Sequence, residues 1–334
     1  MIYIIKTPNA LVVDHNFQIL EDAAKKADSE VKILTEDNYL SNKYQKNSIV
    51  IAGCLEYAFK LLIRGHKNIC SWVQGVSPEE SYLRNGNPIK RFILSLIEKY
   101  ALKRVKYFLF VSETMKIHYE KKYKIKISSY DVFPCFNTDI NIDAFTNDKD
   151  KYDDNIFVYA GGCAKWQGLD KIVFAYSQIQ DLIPKSKFLF LTNDSQKAAE
   201  LVAKNNIKNF EINYVPKAEL PKVLSKCKFG FVLREDNVVN NVSTPTKLST
   251  YLSCGVIPVF SDSIHDFYNL MLTKKYKIVY NSLTFLEDVK SFSIVNPLDI
   301  MNEYKDIFST YYSSGRYVNI ISCALGKMRI GENQ

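Results

Sequence analysis

Short β-rich runs alternate with amphipathic helical patterns from one end of this 334-residue chain to the other. Parallel strands need a crossover connection, usually a helix, so the alternation predicts parallel sheets with helices on both faces. In the first half the predicted strands are Ile2–Ile5, Val31–Thr35, Ser48–Ala52, Ile69–Val73, Tyr107–Val111 and Tyr130–Phe133, and the predicted helices are Asn16–Lys26, Leu55–Arg64, Ile89–Lys103 and Glu113–Tyr123. This pattern indicates an α/β fold.

A polar stretch from Asn137 to Asp154 interrupts the alternation, and we interpret it as an interdomain linker. After it the predicted strands are Ile156–Ala160, Phe188–Thr192, Phe210–Asn213, Phe229–Leu233 and Val256–Phe260, and the predicted helices are Leu169–Ile183, Ser195–Lys204, Lys217–Lys226 and Pro245–Ser253. We therefore predict two Rossmann-like βαβ domains, over residues 1–145 and 146–310, and a helical tail over 311–334 that packs back on the first domain. The carboxyl ends of their strands are expected to face one another across a ligand-binding cleft.

The composition is that of a folded protein, with 47% hydrophobic and 24% charged residues, and it excludes a disordered chain. Seven cysteines, never spaced as a CxxC pair, predict reduced and mostly buried thiols rather than disulfides or a zinc site. The segment Met1 to Asp14 lacks the pattern of a secretory signal, and the stretch Leu248 to Phe260 is too short to span a bilayer. A cytoplasmic location is expected.

The positive charge is concentrated between Lys90 and Lys126, where eleven basic and three acidic residues match the net charge of +8 of the whole chain. Such a segment suits a solvated face or an anionic membrane surface, and nucleic acid is not predicted because no recognition motif accompanies the charge. Peripheral membrane attachment, with no inserted anchor, would use Lys99, Lys103, Arg104, Lys121, Lys122 and Lys124. Most of the apolar residues between the cations (Phe92, Ile93, Leu96, Ile97 and Tyr100) are expected to pack on the sheet.

The strongest local motif covers residues 243–259. Thr244 suits a helix N-cap and Pro245 the first helical position, so the amides of Thr246 and Lys247 would point out of the helix start and bind an anion. Lys247 adds a full positive charge on an exposed first turn. The alternative is an ordinary capped helix, which gives no reason for a lysine at this position.

Two glycines, Gly161 and Gly162, lie between a predicted strand and a predicted helix, where the backbone can approach a phosphate or sugar closely. An ordinary turn is the alternative for Gly162. Lys165 and Trp166 follow, and a cation beside an aromatic ring suits sugar or phosphate contact, although Trp166 also suits the core. Asn193 ends another strand, where it also suits a helix cap.

Five runs of the chain together resemble the retaining group 1 (family 4) glycosyltransferases of GT-B fold. The run 243–259 is similar to the family segment SP-x-K-(L/F)-x-E-(Y/A)-L-x-x-G-x-P-V. The other four, which occur in the family's order, are Phe110–Met115, Val132–Asn137, Ile156–Asp170 and Phe229–Arg234. Each run alone is a weak signal, whereas five in order form a specific one.

This resemblance implies metal-independent transfer of a sugar, with retention, from a nucleotide diphosphate sugar to a glycan or lipid-linked saccharide acceptor. Such transfer serves cell-surface polysaccharide or glycoconjugate synthesis, and no cofactor is expected. The resemblance places the acceptor in the first domain and the donor in the second, and Lys247, Arg234 and Lys165 would stabilise the departing diphosphate. The implied donor-binding residues are Gly161, Gly162, Gln167, Asn193, Val215, Glu235, Thr244, Pro245, Thr246, Leu248 and Thr250, and the acceptor-side residues are Gln74, Gly75 and Glu79.

The sequence departs from the family pattern at four positions. Thr250 and Val242 stand where the family has two glutamates, and Gly162 and Gln167 stand where it has an arginine and a lysine. These departures leave open a catalytically silent GT-B-like glycan-binding or partner subunit. A nucleotide-sugar epimerase is also left open, because fold alone does not determine the reaction.

Overall fold

The computed structural model describes residues 1–7, 13–148, 150–280 and 283–330. These residues form two compact units. Unit 1 contains Met1–Asn137, Asn241–Thr244 and Ser313–Gln334, and unit 2 contains Thr138–Asn240 and Pro245–Tyr312. Each unit is built around one parallel sheet of six strands, so the predicted α/β architecture with two parallel sheets is confirmed.

In unit 1 the strands follow the order β2-β1-β3-β4-β5-β6. Their bounds are β1 Ile2–Ile5, β2 Val31–Leu34, β3 Ile49–Ala52, β4 Ile69–Val73, β5 Tyr107–Phe110 and β6 Tyr130–Val132. Every residue of β1, β3 and β4 is buried, as expected for central strands that are covered by helices on both faces. The chain reverses direction across the sheet between β1 and β3, and a ligand-binding crevice is expected there.

The helices of unit 1 are α1 Asp14–Ala27, α2 Leu55–Leu62, α3 Ser77–Asn85, α4 Pro88–Leu102, α5 Glu113–Tyr123 and α14 Ser314–Ile330. The last of these, α14, comes from the far end of the sequence and packs along α1. Its Ile321 and Leu325 are buried, and the imidazole Nε2 of His15 lies 3.1 Å from the Ser314 hydroxyl. Unit 1 is therefore completed by a helix that is remote in sequence.

In unit 2 the strands follow the order β12-β11-β10-β7-β8-β9. Their bounds are β7 Ile156–Ala160, β8 Lys187–Leu191, β9 Phe210–Asn213, β10 Phe229–Val232, β11 Ile257–Phe260 and β12 Ile278–Val279. The helices are α6 Leu169–Leu182, α7 Ser195–Lys204, α8 Leu220–Leu224, α9 Val238–Asn241, α10 Thr246–Ser253, α11 His265–Met271, α12 Phe285–Ser291 and α13 Pro297–Thr310. The reversal of strand order lies between β7 and β10.

The polar stretch 137–154, interpreted as a linker, contributes to the core of unit 2. Ile142–Phe145 forms a 3-10 helix whose Phe145 is buried, and the hydroxyl of the buried Tyr152 donates to the Gly255 carbonyl at 2.9 Å. Lys151 is also buried, and its ammonium donates to the Ala144 carbonyl at 2.9 Å. The aromatic rings between the polar residues need burial, which the count of Asn, Asp and Lys did not reveal.

The prediction for the apolar residues of α4 was wrong. Phe92, Ile93 and Leu96 do not pack on the sheet, because they are 63%, 52% and 52% exposed. All seven cysteines are free thiols: four are buried, Cys54 and Cys163 are half-buried, and Cys323 is exposed. In the part of the chain that the structure describes, no helix has the length and apolar character needed to cross a membrane.

Candidate functional site

The chain reversal of unit 2 carries the candidate site, at the carboxyl ends of β7 and β10. Gly161 directly follows β7, and Arg234 follows β10 after Leu233. The helix α10, which precedes β11, begins nearby and brings Lys247 to the same edge of the sheet. In parallel α/β sheets this edge, at the point of reversal, is where ligands bind.

Lys247 is held between β7 and the turn that follows it. Its ammonium donates to the Tyr159 hydroxyl at 2.9 Å and to Oε1 of Gln167 at 2.5 Å. The ammonium also lies 4.4 Å from the centroid of the Tyr159 ring, a cation–π contact. The Tyr159 hydroxyl in turn donates to the Gly162 carbonyl at 2.6 Å. Lys247 is thus half-buried and fixed in place, and the prediction of an exposed first turn was wrong.

Glycine is favoured at position 161 by its backbone conformation, and the Lys247 side chain crosses it closely. A Cβ added to Gly161 would lie 2.4 Å from the Cε of Lys247, and the φ of +144° is one that other residues rarely adopt. The same argument holds at Gly168, where φ is +65° and an added Cβ would lie 2.3 Å from the Leu233 carbonyl oxygen. The two glycines let the turn after β7 pack closely against Lys247 and the end of β10.

Arg234 is the second cation of the site and is almost completely buried. Its Nη1 donates to the Trp166 carbonyl at 2.5 Å, and its backbone amide donates to the Ser261 hydroxyl at 2.8 Å. Within the described chain its Nε has no hydrogen-bond partner. A buried donor without an acceptor is costly, so this N–H is suited to an acceptor that a ligand brings.

Burial lowers the pKa of both cations, because a charged group loses its hydration away from water. It lowers the pKa of Lys247 well below its ordinary value, and the neighbouring Arg234 guanidinium lowers it further. It lowers the pKa of Arg234 to about 10, so this guanidinium stays charged at neutral pH. Two partly desolvated cations side by side attract an anion strongly, and a diphosphate carries enough negative charge to compensate both.

The start of α10 differs from the prediction. Pro245 occupies the N-cap position in an extended conformation, with φ −63° and ψ 120°, and Thr246 is the first helical residue. Thr244 therefore does not cap this helix. Its hydroxyl accepts the amide of Cys135 at 3.0 Å, within unit 1. Because the ψ of 120° at Pro245 is extended rather than helical, the helix begins one residue later than predicted.

Other predicted donor residues lie at the same edge of the unit 2 sheet in different environments. Lys165, Gly162, Asn193 and Glu235 are exposed, and Val215 is half-buried. The carboxylate of Glu235 pairs with Lys171 at 3.1 Å. Two residues of α10 point inward: Leu248 is buried in the core, and the hydroxyl of the buried Thr250 donates to the Thr246 carbonyl at 2.9 Å. A buried Leu248 side chain is not available to a donor.

Unit 1 has a pocket of its own at the reversal of its sheet, with a volume of about 270 Å³. It is lined by residues after β1, β3 and β4, among them Thr7, Gly53, Gln74 and the carboxylates Glu56 and Glu80. Burial raises the pKa of Glu80, whose Oε1 accepts the Val76 amide at 3.0 Å. Carboxylates and amides are the groups that commonly bind hydroxyl-rich ligands, and this pocket presents both.

Two of the predicted acceptor-side residues line this pocket, and the third does not. Gln74 donates from Nε2 to the Gly53 carbonyl at 2.9 Å, and Gly75 leaves the space that Glu80 fills, since an added Cβ would lie 2.1 Å from Glu80 Oε1. Glu79 instead forms ion pairs with Lys122 at 2.9 Å and with Arg91 at 3.6 Å. The carboxylates that line this pocket are thus Glu80 and Glu56, which were not among the predicted residues, whereas Glu79 lies outside it.

A buried polar network lies behind the Gly75 loop. The Tyr119 hydroxyl is 2.9 Å from the Gly75 carbonyl and 3.1 Å from Oε1 of Glu98 on α4. Oε2 of Glu98 accepts from Lys122 at 3.0 Å and from the Tyr123 hydroxyl at 2.6 Å. Burial raises the pKa of Glu98 to about 7 despite the neighbouring Lys122. Lys122 therefore pairs with both Glu79 and Glu98. The sequence placed it among the cations available to a membrane surface, whereas in the structure its side chain is only 18% exposed.

In the described ranges, no group of three or more His, Cys, Asp or Glu side chains is placed to hold a metal ion. The acidic pair Glu235 and Asp236 is exposed beyond β10.

No protein-family model and no curated protein sequence matches this chain. Solved structures resemble it at low sequence identity. Anabaena HepE, in complex with UDP and glucose, has a TM-score of 0.68 at 10% identity over 98% of this chain and 99% of HepE. Sucrose-phosphate synthase of Thermosynechococcus elongatus has a TM-score of 0.58 at 12% identity over 100% of this chain and 97% of the synthase. S. aureus TarM, in a complex with fondaparinux, alpha-GlcNAc-glycerol and UDP, has a TM-score of 0.62 at 12% identity over 86% of this chain.

These similarities show the fold. Each unit is a Rossmann-like domain, and the chain has the GT-B fold that the sequence predicted. The chain spans 57% of the length of TarM, so the two proteins differ in extent. Because one fold can carry several reactions, the activity has to be argued from the residues of the site.

Proposed function

We propose that the protein is a glycosyltransferase that uses a nucleotide diphosphate sugar. The observation that carries this proposal is the pair of desolvated cations, Lys247 and Arg234, at the sheet reversal of unit 2. The leaving group of such a donor is a diphosphate, and fixed positive charge is what stabilises it in the transition state. The presence of UDP in the HepE and TarM complexes favours a uridine nucleotide.

The site would stabilise the departing diphosphate through three kinds of group. Lys247 would give up its contact with Tyr159 or Gln167 and regain full charge against the diphosphate. The unpaired Nε–H of Arg234 would donate to a phosphate oxygen, and the amides of Thr246 and Lys247 at the start of α10 would donate to another. Lys165, on the 3-10 helix Lys165–Gln167, is exposed and long enough to approach the same anion. The proposed route is metal-independent and retaining, with these groups in place of a metal ion.

The acceptor in this proposal is a saccharide, free or lipid-linked, that binds the pocket of unit 1. Glu56, Glu80 and Gln74 offer hydrogen-bond acceptors and a donor for sugar hydroxyl groups. Products of this kind belong to cell-surface polysaccharide or glycoconjugate synthesis.

A nucleotide screen tests the donor half of the proposal. We expect thermal stabilisation of the purified protein by UDP and UDP-sugars that exceeds the effect of GDP and ADP compounds, since bound ligands stabilise the folded state. We also expect slow release of UDP from the preferred donor without acceptor. Stabilisation by a nucleotide sugar with neither turnover nor transfer would support the catalytically silent alternative, for which Thr250 and Val242 in place of the family glutamates are the motivation. Interconversion of the donor sugar without acceptor would support an epimerase.

Glu80→Gln tests the acceptor half. The substitution keeps the oxygen that accepts the Val76 amide and removes the negative charge, so the loop should keep its shape. We expect about a tenfold loss in kcat/KM for the acceptor, from weaker hydroxyl binding, with donor hydrolysis unchanged. Glu79→Gln is the matched control, since this neighbour pairs with Lys122 and Arg91 outside the pocket. The same kcat/KM for the acceptor in both variants and in the wild type would show that the acceptor does not bind in this pocket.

A further inference from the structure

A single buried hydroxyl group lies between two hydrogen-bond acceptors behind the pocket of unit 1. The Tyr119 hydroxyl is 2.9 Å from the Gly75 carbonyl oxygen and 3.1 Å from Oε1 of Glu98. Tyr119 is 0% exposed, which closes this group to bulk water. A phenol hydroxyl carries one hydrogen, so it donates fully to only one of the two oxygens at a time. The direction of this bond therefore depends on whether Glu98 itself carries a proton.

The other carboxylate oxygen of Glu98 determines where such a proton resides. Oε2 accepts from the Lys122 ammonium at 3.0 Å and from the Tyr123 hydroxyl at 2.6 Å. Because two donors already point at Oε2, a proton on the carboxyl group belongs on Oε1, the oxygen that faces Tyr119. Protonated Glu98 then donates to Tyr119, and Tyr119 donates to the Gly75 carbonyl. When Glu98 is ionised, its charged Oε1 is the stronger acceptor and takes the Tyr119 hydrogen away from Gly75.

The peptide group between Gly75 and Val76 connects this hydroxyl to the pocket. Its carbonyl faces Tyr119, and its N–H donates to Oε1 of Glu80 at 3.0 Å. Hydrogen bonds at the two ends of one peptide group strengthen each other, because each polarises the amide. Gly75 and Glu80 both line the pocket. A hydrogen bond to the Gly75 carbonyl therefore fixes the peptide plane and, through it, the Glu80 carboxylate.

We infer that Tyr119 is a positioning residue for the acceptor and that Glu98 sets the direction of its hydroxyl. This role rests on the proposed function, since it takes the pocket of unit 1 as the acceptor site. Protonated Glu98 turns the Tyr119 hydroxyl toward Gly75 and holds Glu80 in place for a sugar hydroxyl group. Ionised Glu98 turns the Tyr119 hydroxyl away, and the peptide group loses its anchor. Acceptor binding is thus tightest where Glu98 is protonated.

The pH range of this change follows from the surrounding groups. The charged and titratable side chains that act on Glu98 and Tyr119 come from α2, α3 and α5, and they are Glu56, Glu79, His118, Lys122 and Tyr123. Burial raises the pKa of Glu98 to about 7, although Lys122 and Tyr123 oppose the rise. Burial also raises the pKa of Tyr119, so the phenol keeps its hydrogen. Because burial lowers the pKa of His118, the imidazole loses its proton at a lower pH than Glu98 does.

The pH profile of the acceptor KM separates this role from a purely structural one. We expect the wild-type KM to rise about fivefold between about pH 6 and about pH 8, which corresponds to one hydrogen bond. Glu98→Gln should keep the low KM throughout, because its amide group replaces the protonated oxygen and donates to Tyr119. Tyr119→Phe should show the high KM throughout. Tyr107→Phe is the control with the wild-type profile, since its hydroxyl donates to Asp131 elsewhere in unit 1.

A spectroscopic measurement without substrates tests the same switch independently of the reaction. The Val76 amide belongs to the peptide group that Tyr119 anchors, so its NMR chemical shift should titrate near pH 7 in the wild type. The shift should stay constant in Glu98→Gln and in Tyr119→Phe. This pattern in a protein that transfers no sugar would support the switch and count against the proposed function.

Three results would overturn the inference even where sugar transfer is observed. The first is a wild-type Val76 shift that does not change near pH 7. The second is a step that persists in both variants, which would assign the titration to Glu80. The third is a flat wild-type KM profile beside a titrating Val76 shift, which would show that the hydroxyl does not position the acceptor.

Discussion

The Lys247→Met variant is expected to lose at least about a hundredfold of donor turnover while it stays folded. Loss of one fixed charge beside a leaving group costs roughly 2–4 kcal/mol of transition-state stabilisation. Methionine keeps most of the aliphatic stem that crosses Gly161 and removes a half-buried ammonium that burial already destabilises. The measurement is release of nucleotide diphosphate at saturating donor. Lys171→Met is the control, because Lys171 pairs with the exposed Glu235.

Proton uptake gives a readout of Lys247 that a merely structural role would not produce. The pKa of Lys247 is lowered in the free protein, and a bound diphosphate would raise it again. Between these two pKa values, nucleotide binding should take up a proton, and affinity should fall as the pH rises through the lower one. Titration calorimetry in buffers of different ionisation enthalpy measures the uptake, which Lys247→Met should abolish. Near-normal turnover in that variant would remove Lys247 from the mechanism.

The Glu98→Gln variant is expected to gain stability relative to the wild type as the pH rises. The pKa of Glu98 is about 7 in the folded protein, against an ordinary value of 4.5, because burial disfavours the charged form. The folded state therefore binds this proton more tightly than the unfolded state does. The resulting stability is fully present below about pH 4.5 and is lost as the pH rises to about 7. Between pH 4.5 and 7, the unfolding free energy of the wild type should therefore fall by up to about 3 kcal/mol relative to that of the variant.

Urea unfolding at acidic, neutral and mildly alkaline pH measures this difference. The side-chain oxygen of glutamine can still accept a hydrogen bond from Tyr119 or Tyr123. Lys122 keeps its ion pair with Glu79 in this variant. Glu120→Gln is the control with the opposite sign, because the Ile127 amide and Lys116 lower the pKa of Glu120. A Glu98→Gln difference that does not vary with pH would mean that Glu98 stays ionised in the fold, as its ion pair with Lys122 would favour.

The sequence contained the element pattern because that information is local. The spans of β1, β4, β7, β9, α5 and α7 agree with the prediction to the residue, since apolar runs and helical periodicity are visible within each span. The role of Tyr159 was missed, since its contact with Lys247 joins residues 88 positions apart. Glu79 was chosen over Glu80 because both are charged residues of one helix turn, and only tertiary packing distinguishes them. Helical spacing likewise could not show that Phe92, Ile93 and Leu96 are exposed, because an exposed apolar face and a buried one have the same period.

The packing of α14 on α1 has a consequence for how the polypeptide matures. Unit 1 receives its last helix only after all of unit 2 has been made, because α14 begins at Ser314 and the first segment of unit 1 ends at Asn137. At ribosomal speeds of about 5–20 residues per second, this interval is on the order of 10–35 s. During that time α1 lacks α14, which contributes the buried Ile321 and Leu325, and the apolar surface of α1 is open to chaperones. A nascent chain stalled within unit 2 would therefore expose the apolar surface of α1 in unit 1. Translation pauses in this region should favour aggregation more than pauses after α14.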